Sequence, residues 1–339
     1  MNRPPVIHRP VAHRLAAHRL AALLALGLLL SACAAGVGDA GPLATPSPLT
    51  DATPTPGASS SGTPSASPAG SPSGALPTAT PGSTAGPTPA PTPTPNAGRT
   101  RFAVYFLSGA TLLPVEREVP ATVAVARAAM TALLAGPTDE EALGTASMGT
   151  AIPPETLLLG IGISGGTATV DLSREFESGG GSASMFGRLA QVTYTLTQFP
   201  TVDRVAFRLD GKPVTTFSGE GIVLERPSVR GDYTSFLPAV FVDRPAWGAR
   251  LANPARLTGL ANVFEATFRY RITTADGRIL VEGHAMATCG TGCWGTFDVT
   301  VPYSVRSEQA GKLTVYVASA RDGSPEDVRT YDVTLTPGD

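Results

Sequence analysis

Two hydrophobic periods alternate along residues 99–226. The stretch RFAVYFLSG is rich in aromatic and β-branched residues and predicts a strand, whereas the next apolar positions recur at helical spacing: Val123, Ala126, Met130, Leu133 and Leu134. Two short strands joined by a hairpin turn at 164–166 precede a second helix, whose apolar face holds Met185, Leu189, Val192 and Leu196. A last strand follows. The predicted order is β-α-β-β-α-β, an α+β domain with two helices on one face of a small mixed sheet.

Residues 227–339 alternate apolar and polar positions instead. Along VFEATFRYRITTADGRIL, the residues predicted to share the inward face are Phe264, Ala266, Phe268, Tyr270 and Ile272. The segments GTFDVTVPY, GKLTVYVAS and VRTYDVTLT are further strands, and weaker strands are predicted near 222–229 and 239–242. About seven strands separated by regular turns predict an all-β immunoglobulin-like sandwich.

The N-terminal residues 1–32 have a different pattern. Arginines precede an uncharged apolar run that is too short to span a bilayer, which is typical of a signal peptide. The run ends in LSAC, which resembles a bacterial lipobox, and the resemblance implies that Cys33 becomes an acylated N-terminus. Such a chain would be anchored in the lipid bilayer of the cell membrane, facing the extracytoplasmic side. The alternative is an ordinary signal peptide with an incidental cysteine.

Residues 33–98 consist almost entirely of Ala, Pro, Thr, Ser and Gly. Such a composition buries too little apolar surface to offset the entropy of ordering the chain, so it predicts a disordered tether. The formal net charge of the whole chain is −2. Because there is no basic excess, nucleic acid is not an expected partner.

Few residues beyond the tether carry reactive chemistry. Cys289 and Cys293 are the remaining cysteines, and an exported location favours a disulfide between them over a metal half-site or free thiols. His284 is the sole histidine outside the signal region. The sequence therefore predicts neither a metal centre nor a cofactor site.

Three patterns share letters with catalytic or anion-binding motifs. Asp171 with Glu175 and Glu177 could provide acid–base chemistry, but a capping or solvated role is favoured. GISGG at 162–166 matches a nucleophile elbow in letters, yet a strand follows it rather than a helix, so a hairpin turn is favoured. SGGGS at 178–182 lacks the lysine and spacing of a phosphate loop. Because the non-catalytic interpretation is favoured for each of these patterns, the sequence predicts that the protein is not an enzyme.

Several motifs carry a family resemblance. LLAGPTDEE, AIPPETLLLG, ATVDLSREF and AQVTYTLTQFPTVDRVAFRLDGKPV resemble the successive motifs of the GerMN domain of bacterial sporulation and germination proteins. RLTGLANVFEATFRYRITTADGRIL and LTVYVASARDGSPEDV resemble the immunoglobulin-like domain of bacterial spore-germination proteins. The first resemblance implies a fold similar to ring-building modules, an occurrence in envelope lipoproteins and assembly factors, and no catalytic residues.

The predicted function is that of a membrane-anchored, non-catalytic envelope lipoprotein that acts as a binding or assembly module. Its partner would be an envelope protein complex or another copy of the chain, bound through the GerMN-like domain. Exposed aromatics often anchor partners, so Trp247 and Trp294 are candidate contacts, although Trp294 could instead pack beside the disulfide. Two other functions stay open: binding of cell-wall glycan or a small solute and, less favoured, cell-wall hydrolysis by paired carboxylates.

Overall fold

A computed structural model describes residues 98–338 of the chain. The predicted signal peptide 1–32, the predicted acylation site Cys33 and all but the last residue of the predicted tether 33–98 lie outside the described residues. Within the described range, no helix is both long enough and apolar enough to cross a membrane.

The α+β part comes first in the chain. Its elements are β1 (Arg99–Ser108), β2 (Thr111–Pro120), α1 (Val125–Leu134), α2 (Asp139–Leu143), β3 (Met148–Gly149), β4 (Leu158–Ser164), β5 (Thr167–Leu172), α3 (Ser182–Leu196), β6 (Arg204–Leu209), β7 (Lys212–Pro213), β8 (Thr216–Phe217) and β9 (Ile222–Val223). Strands β2, β1 and β3 form one sheet in that order, while β4, β5, β6 and β7 form a second, mixed sheet. Strands β8 and β9 form a separate pair.

This topology differs from the predicted β-α-β-β-α-β order in two respects. Strand β2 was not expected, and it pairs antiparallel with β1 along its whole length. The strands also divide between two sheets rather than forming a single one. The α+β class is confirmed, whereas the single mixed sheet is wrong because β1 takes its hydrogen-bonding partners from β2 and β3 and not from β5 or β6.

The two predicted helices bury the expected faces with one exception. Met185, Leu189, Val192 and Leu196 of α3 are buried, as are Met130 and Leu133 of α1. Val123 is wrong as a core position, because α1 begins only at Val125 and the Val123 side chain is fully exposed. Helix α3 packs against β1, α1, β6 and the 3₁₀ turn Arg230–Phe236, so it is buried on nearly all sides.

Polar side chains on and just after α3 hydrogen-bond to the free edge of β1. The Gln198 amide donates to the carbonyl of Ala103 over 2.6 Å and accepts from its N–H over 2.8 Å. Thr195 accepts from the N–H of Tyr105, and Gln191 donates to its carbonyl. These bonds are long-range, and Gln198 also donates locally to the carbonyl of Thr195. A helix edge thus takes the place of a neighbouring strand, which keeps the buried backbone groups paired.

An ion pair ties β2 to the short helix α2. The two terminal nitrogens of the Arg117 guanidinium each donate to the carboxylate of Glu141 over 2.6 Å. Glu141 also closes a capping box with Thr138 at the start of α2. Burial opposes ionisation of Glu141, but Arg117 and the Thr138 N–H outweigh it and hold the pKa of the carboxyl below its ordinary value.

We expect replacement of Glu141 by glutamine to lower the free energy of unfolding at pH 7 by about 2 kcal/mol. A lowered folded-state pKa stabilises the fold above the ordinary carboxyl pKa, and this contribution is lost as the pH falls through the folded value. Urea unfolding from pH 7 to pH 2 should therefore show the difference shrinking below about pH 4. A difference that persists unchanged at pH 2 would contradict the assignment, and the exposed neighbour change Glu140→Gln serves as the control.

The second part is a β-sandwich. Its strands are β10 (Val240–Arg244), β11 (Arg250–Leu251), β12 (Ala255–Ala261), β13 (Thr267–Thr274), β14 (Ile279–Met286), β15 (Gly295–Val301), β16 (Gln309–Ala318) and β17 (Pro325–Leu335). One sheet has the order β10-β12-β15 and the other β11-β17-β16-β13-β14. The weak strand expected near 222–229 is wrong as a sandwich strand, because Ile222–Val223 pairs with β8.

Candidate binding surfaces

Arg230 joins the α+β part to the sandwich. It lies in the 3₁₀ turn Arg230–Phe236 that connects them, and its guanidinium donates to Asp243 of β10 over 3.0 Å and to the Tyr105 hydroxyl of β1 over 3.0 Å. The Tyr105 hydroxyl in turn donates to Asp243 over 2.6 Å. The guanidinium also lies over the ring of Tyr194, 4.7 Å from its centroid. We call Arg230, Asp243, Tyr105 and Tyr194 the junction cluster.

Burial shapes the chemistry of the junction cluster. Burial raises the pKa of the Tyr105 hydroxyl, and it raises the pKa of the Tyr194 hydroxyl to about 12. Burial disfavours the charged form of Arg230, but Tyr105 and Asp243 outweigh it and hold the arginine pKa above its ordinary value. The cluster therefore keeps a charged arginine and two neutral tyrosines at physiological pH, which suits a permanent contact.

Trp247 lies at the same junction. Its backbone N–H donates to the carbonyl of Pro114, and its carbonyl accepts from the backbone N–H of Glu116, both over 2.8 Å. Trp247 therefore pairs with the outer edge of β2. The side chain is half-buried and packs against the core. Trp247 is thus engaged within the chain by its backbone hydrogen bonds to β2.

The structure does not bring Trp247 and Trp294 together. Trp294 precedes Gly295, which pairs with Ala261 at the end of the sheet where β10 begins. Trp247 follows the opposite end of β10. Trp294 is half-buried, and its role in partner contact stays a prediction.

The loop before Trp294 forms a braced tip on the sandwich. The structure places the sulfur atoms of Cys289 and Cys293 next to each other, and their Cα atoms lie 6.1 Å apart. This geometry agrees with a disulfide, whose formation stays a prediction. The Thr291 N–H donates to the carbonyl of Val263, and the Gly292 N–H donates to the Asn262 side chain, both over 2.9 Å. These bonds tie loop 287–294 to turn 262–266, and we call the two segments the sandwich tip.

Two large apolar side chains are exposed at the sandwich tip and on the residue directly before it. Phe264 is 65% exposed and Met286, at the end of β14, is 66% exposed. Sequence alternation placed Phe264 inward, and this is wrong because Glu265 and Ala266 adopt positive φ values that turn the chain before β13 begins. Exposed apolar side chains near a loop held by hydrogen bonds are candidate contacts for a partner protein.

A second apolar surface lies in the α+β part. A groove of about 440 Å³, which we call the α1–β4 groove, is lined by Val123, Ala124, Val125, Ala126, Arg127, Ile161, Ile163, Phe199, Pro200 and Thr201. The groove lies between the start of α1 and β4, which is the edge strand of the second sheet. The sequence did not predict this groove, because the helical spacing of apolar residues placed Val123 in the core.

The patterns that shared letters with catalytic motifs have structural explanations. The Asp171 carboxylate accepts from the N–H of Gly211 over 2.9 Å, so it braces the β6–β7 turn. The Ser173 side chain holds the pKa of Glu175 below its ordinary value. GISGG forms the hairpin between β4 and β5. Within residues 98–338, no three metal-binding side chains gather into a cluster.

The described residues form a two-part protein, an α+β part joined to a β-sandwich, and each part has exposed apolar side chains. Two family models match it in the order predicted from the motifs. Residues 103–215 match Germane, described as "Sporulation and spore germination". Residues 239–324 match Gmad2, the immunoglobulin-like domain of bacterial spore germination. Residues 103–215 and 239–324 are thus similar to these two families in turn, and the resemblance seen in the sequence is confirmed.

Lipoprotein LpqB of Thermobifida fusca (strain YX) is 31% identical over 175 residues, which are 52% of this chain and 26% of that protein. The chain therefore spans about a quarter of this relative's length.

Two solved structures are also similar. The tandem GerMN domains of the sporulation protein GerM from Bacillus subtilis match with 16% identity and a TM-score of 0.35, covering 62% of this chain and 63% of that one. The first GerMN domain of the same protein matches with 21% identity and a TM-score of 0.32, covering 39% and 99%.

Proposed function

We propose that this protein is a lipid-anchored, non-catalytic module of the cell envelope that binds a partner protein through the sandwich tip. The observation that carries the proposal is the exposure of Phe264 and Met286 beside a loop held by hydrogen bonds. A rigid support lowers the entropy lost on binding, so a small apolar contact can still be specific. The junction cluster gives the tip a fixed attachment to the α+β part.

The envelope location rests on the N-terminal sequence. The apolar run ending at Cys33 supplies a signal and an acylation site, and the tether would space the folded part from the bilayer. The similar LpqB protein is named a lipoprotein, which agrees with this location. The matched families are germination-related domains, which supports a binding role over a catalytic one.

The first test is crosslinking in cells at the native expression level, followed by identification of attached proteins. We expect the change Phe264→Ser combined with Met286→Ser to reduce partner crosslinks at least about tenfold, because apolar anchors carry most of the energy of such contacts. Ile279→Ser is the matched control. Ile279 is 52% exposed on the same strand as Met286, but about 23 Å away along β14.

Other outcomes would replace the proposal. Crosslinks between copies of the chain that depend on residues 101–220 would instead favour self-association through the GerMN region. Retention on purified cell wall without any protein crosslink would favour binding of glycan. Equal crosslinking by the double variant and the Ile279→Ser control would remove the tip from the binding surface.

A further inference from the structure

The α1–β4 groove exists because part of the core face of a sheet is left uncovered. Ile161 and Ile163 of β4 pair with Val170 and Ala168 of β5, and paired residues of an antiparallel ladder point to the same face. Val170 and Ala168 are fully buried beneath the helices, whereas Ile163 is 43% exposed. Helix α1 contacts β4 but leaves Ile163 exposed, so the apolar row at the sheet edge is only partly covered.

The chain enters the described structure next to this groove. The Gly98 carbonyl accepts from the N–H of Ala121 over 3.0 Å, and the Thr100 hydroxyl accepts from the N–H of Thr122. The next residue, Val123, lines the groove and is fully exposed. The described part of the chain therefore begins close to the groove.

The segment that precedes this entry has a distinctive sequence. Residues 87–96 read PTPAPTPTPN, with a proline at every second position and no charged residue. Such a segment favours the extended polyproline II conformation, and its proline rings offer apolar surface with little conformational entropy to lose. Strand β4 and its turn, residues 157–166, are also free of charge, so contact between the two buries no ionised group.

We propose that residues 87–96 of this chain dock into the α1–β4 groove, with proline rings against Phe199, Ile163 and Val123. Arg127, which also lines the groove, offers N–H donors to the carbonyls of a polyproline segment. The docked segment completes the uncovered side of the core. It also shortens the free tether and sets the direction in which the tether leaves the folded part.

The lengths agree with this arrangement. Ten residues in the polyproline II conformation span about 31 Å at 3.1 Å per residue, which exceeds the length of a seven-residue strand such as β4, about 23 Å. A segment joined directly to its site has an effective concentration of about 1 mM, so even a Kd of about 0.25 mM leaves it docked about four-fifths of the time.

The test measures the accessibility of a cysteine placed in the groove of the full-length chain. The change Val123→Cys places a thiol at the groove wall, where the native side chain is fully exposed, and Val223→Cys is the matched control at an exposed position of β9 outside the groove. Each is combined with either the native segment or a segment in which Pro89, Pro91, Pro93 and Pro95 are serine. Maleimide labelling rates are read by mass spectrometry of the peptides that contain each cysteine.

Docking predicts that Cys labelling at position 123 is about fivefold slower with the native segment than with the serine segment. The rate at position 223 should be the same with both segments, and neither rate should change with protein concentration. Equal rates at position 123 would overturn the proposal. Protection at position 123 that grows with protein concentration would also overturn it, because a second copy would then be the occupant.

Discussion

Replacing Arg188 with alanine is expected to lower the free energy of unfolding by about 4 kcal/mol, through lost charged hydrogen bonds and a new cavity. Arg188 lies on α3 and is 1% exposed. Its guanidinium donates to the carbonyls of Phe176, Ser178 and Gly179 over 2.5 to 3.0 Å. Burial lowers the arginine pKa, yet these acceptors surround the group and hold turn 174–179 against the helix.

Two variants separate the causes of this loss. Arg188→Met keeps most of the side-chain volume, so it should still lower the free energy of unfolding by about 2 kcal/mol because three carbonyls lose their donor. Arg174→Ala removes an arginine from the same turn, but Arg174 is 74% exposed in its pair with Asp210 and should change stability very little. Urea unfolding of the three variants provides the measurement. Arg188→Met as stable as the native chain would show that the carbonyls do not need the arginine.

Removal of Arg230 is the second large change, with an expected loss of about 3 kcal/mol in the free energy of unfolding. Alanine at this position leaves the Asp243 carboxylate with the Tyr105 hydroxyl as its remaining partner in the junction cluster. It also removes the guanidinium from the faces of Tyr105 and Tyr194. The α+β part and the sandwich should then unfold at separate temperatures, because the coupling that remains, the Tyr105–Asp243 bond and the backbone pairing of Trp247 with β2, is weaker.

Calorimetry distinguishes this outcome from a general loss of stability. The native chain should show a single transition over the described parts, and Arg230→Ala should show two. Arg226→Ala is the control from the same connecting segment, since the Arg226–Asp232 pair has its arginine 62% exposed and should contribute under about 1 kcal/mol. A single transition in Arg230→Ala, shifted by no more than in Arg226→Ala, would remove the cluster as the coupling element.

Local sequence patterns were sufficient for elements whose partners do not alter them. The four apolar positions of α3 recur at helical spacing, and all four are buried. The alternation of Phe268 and Ile272 likewise identifies the buried face of β13. In both cases the preference is set within a few residues, so a window of the sequence contains the information.

Strand β2 shows where local patterns were insufficient. Its sequence, TLLPVEREVP, contains two prolines and three consecutive charged residues, which weaken a strand signal. It forms a strand because β1 supplies a full-length partner. On the other edge, the Pro114 carbonyl accepts from the backbone N–H of Trp247, and no hydrogen bond there requires an N–H from Pro114. The turn at Phe264 is similar, because its positive φ values are held by loop 287–294 rather than by its own residues.

The sequence by itself determined the helix and strand types, the α+β and sandwich classes and the two family resemblances, since periodicity and motifs are local properties. The tertiary structure alone decided the junction cluster, the exposed sandwich tip, the buried Arg188 and the α1–β4 groove. Each of these depends on which distant segments meet: Arg230 and Tyr105, for example, are 125 residues apart. Burial and hydrogen bonding are set by such neighbours, and no short window of the chain contains them.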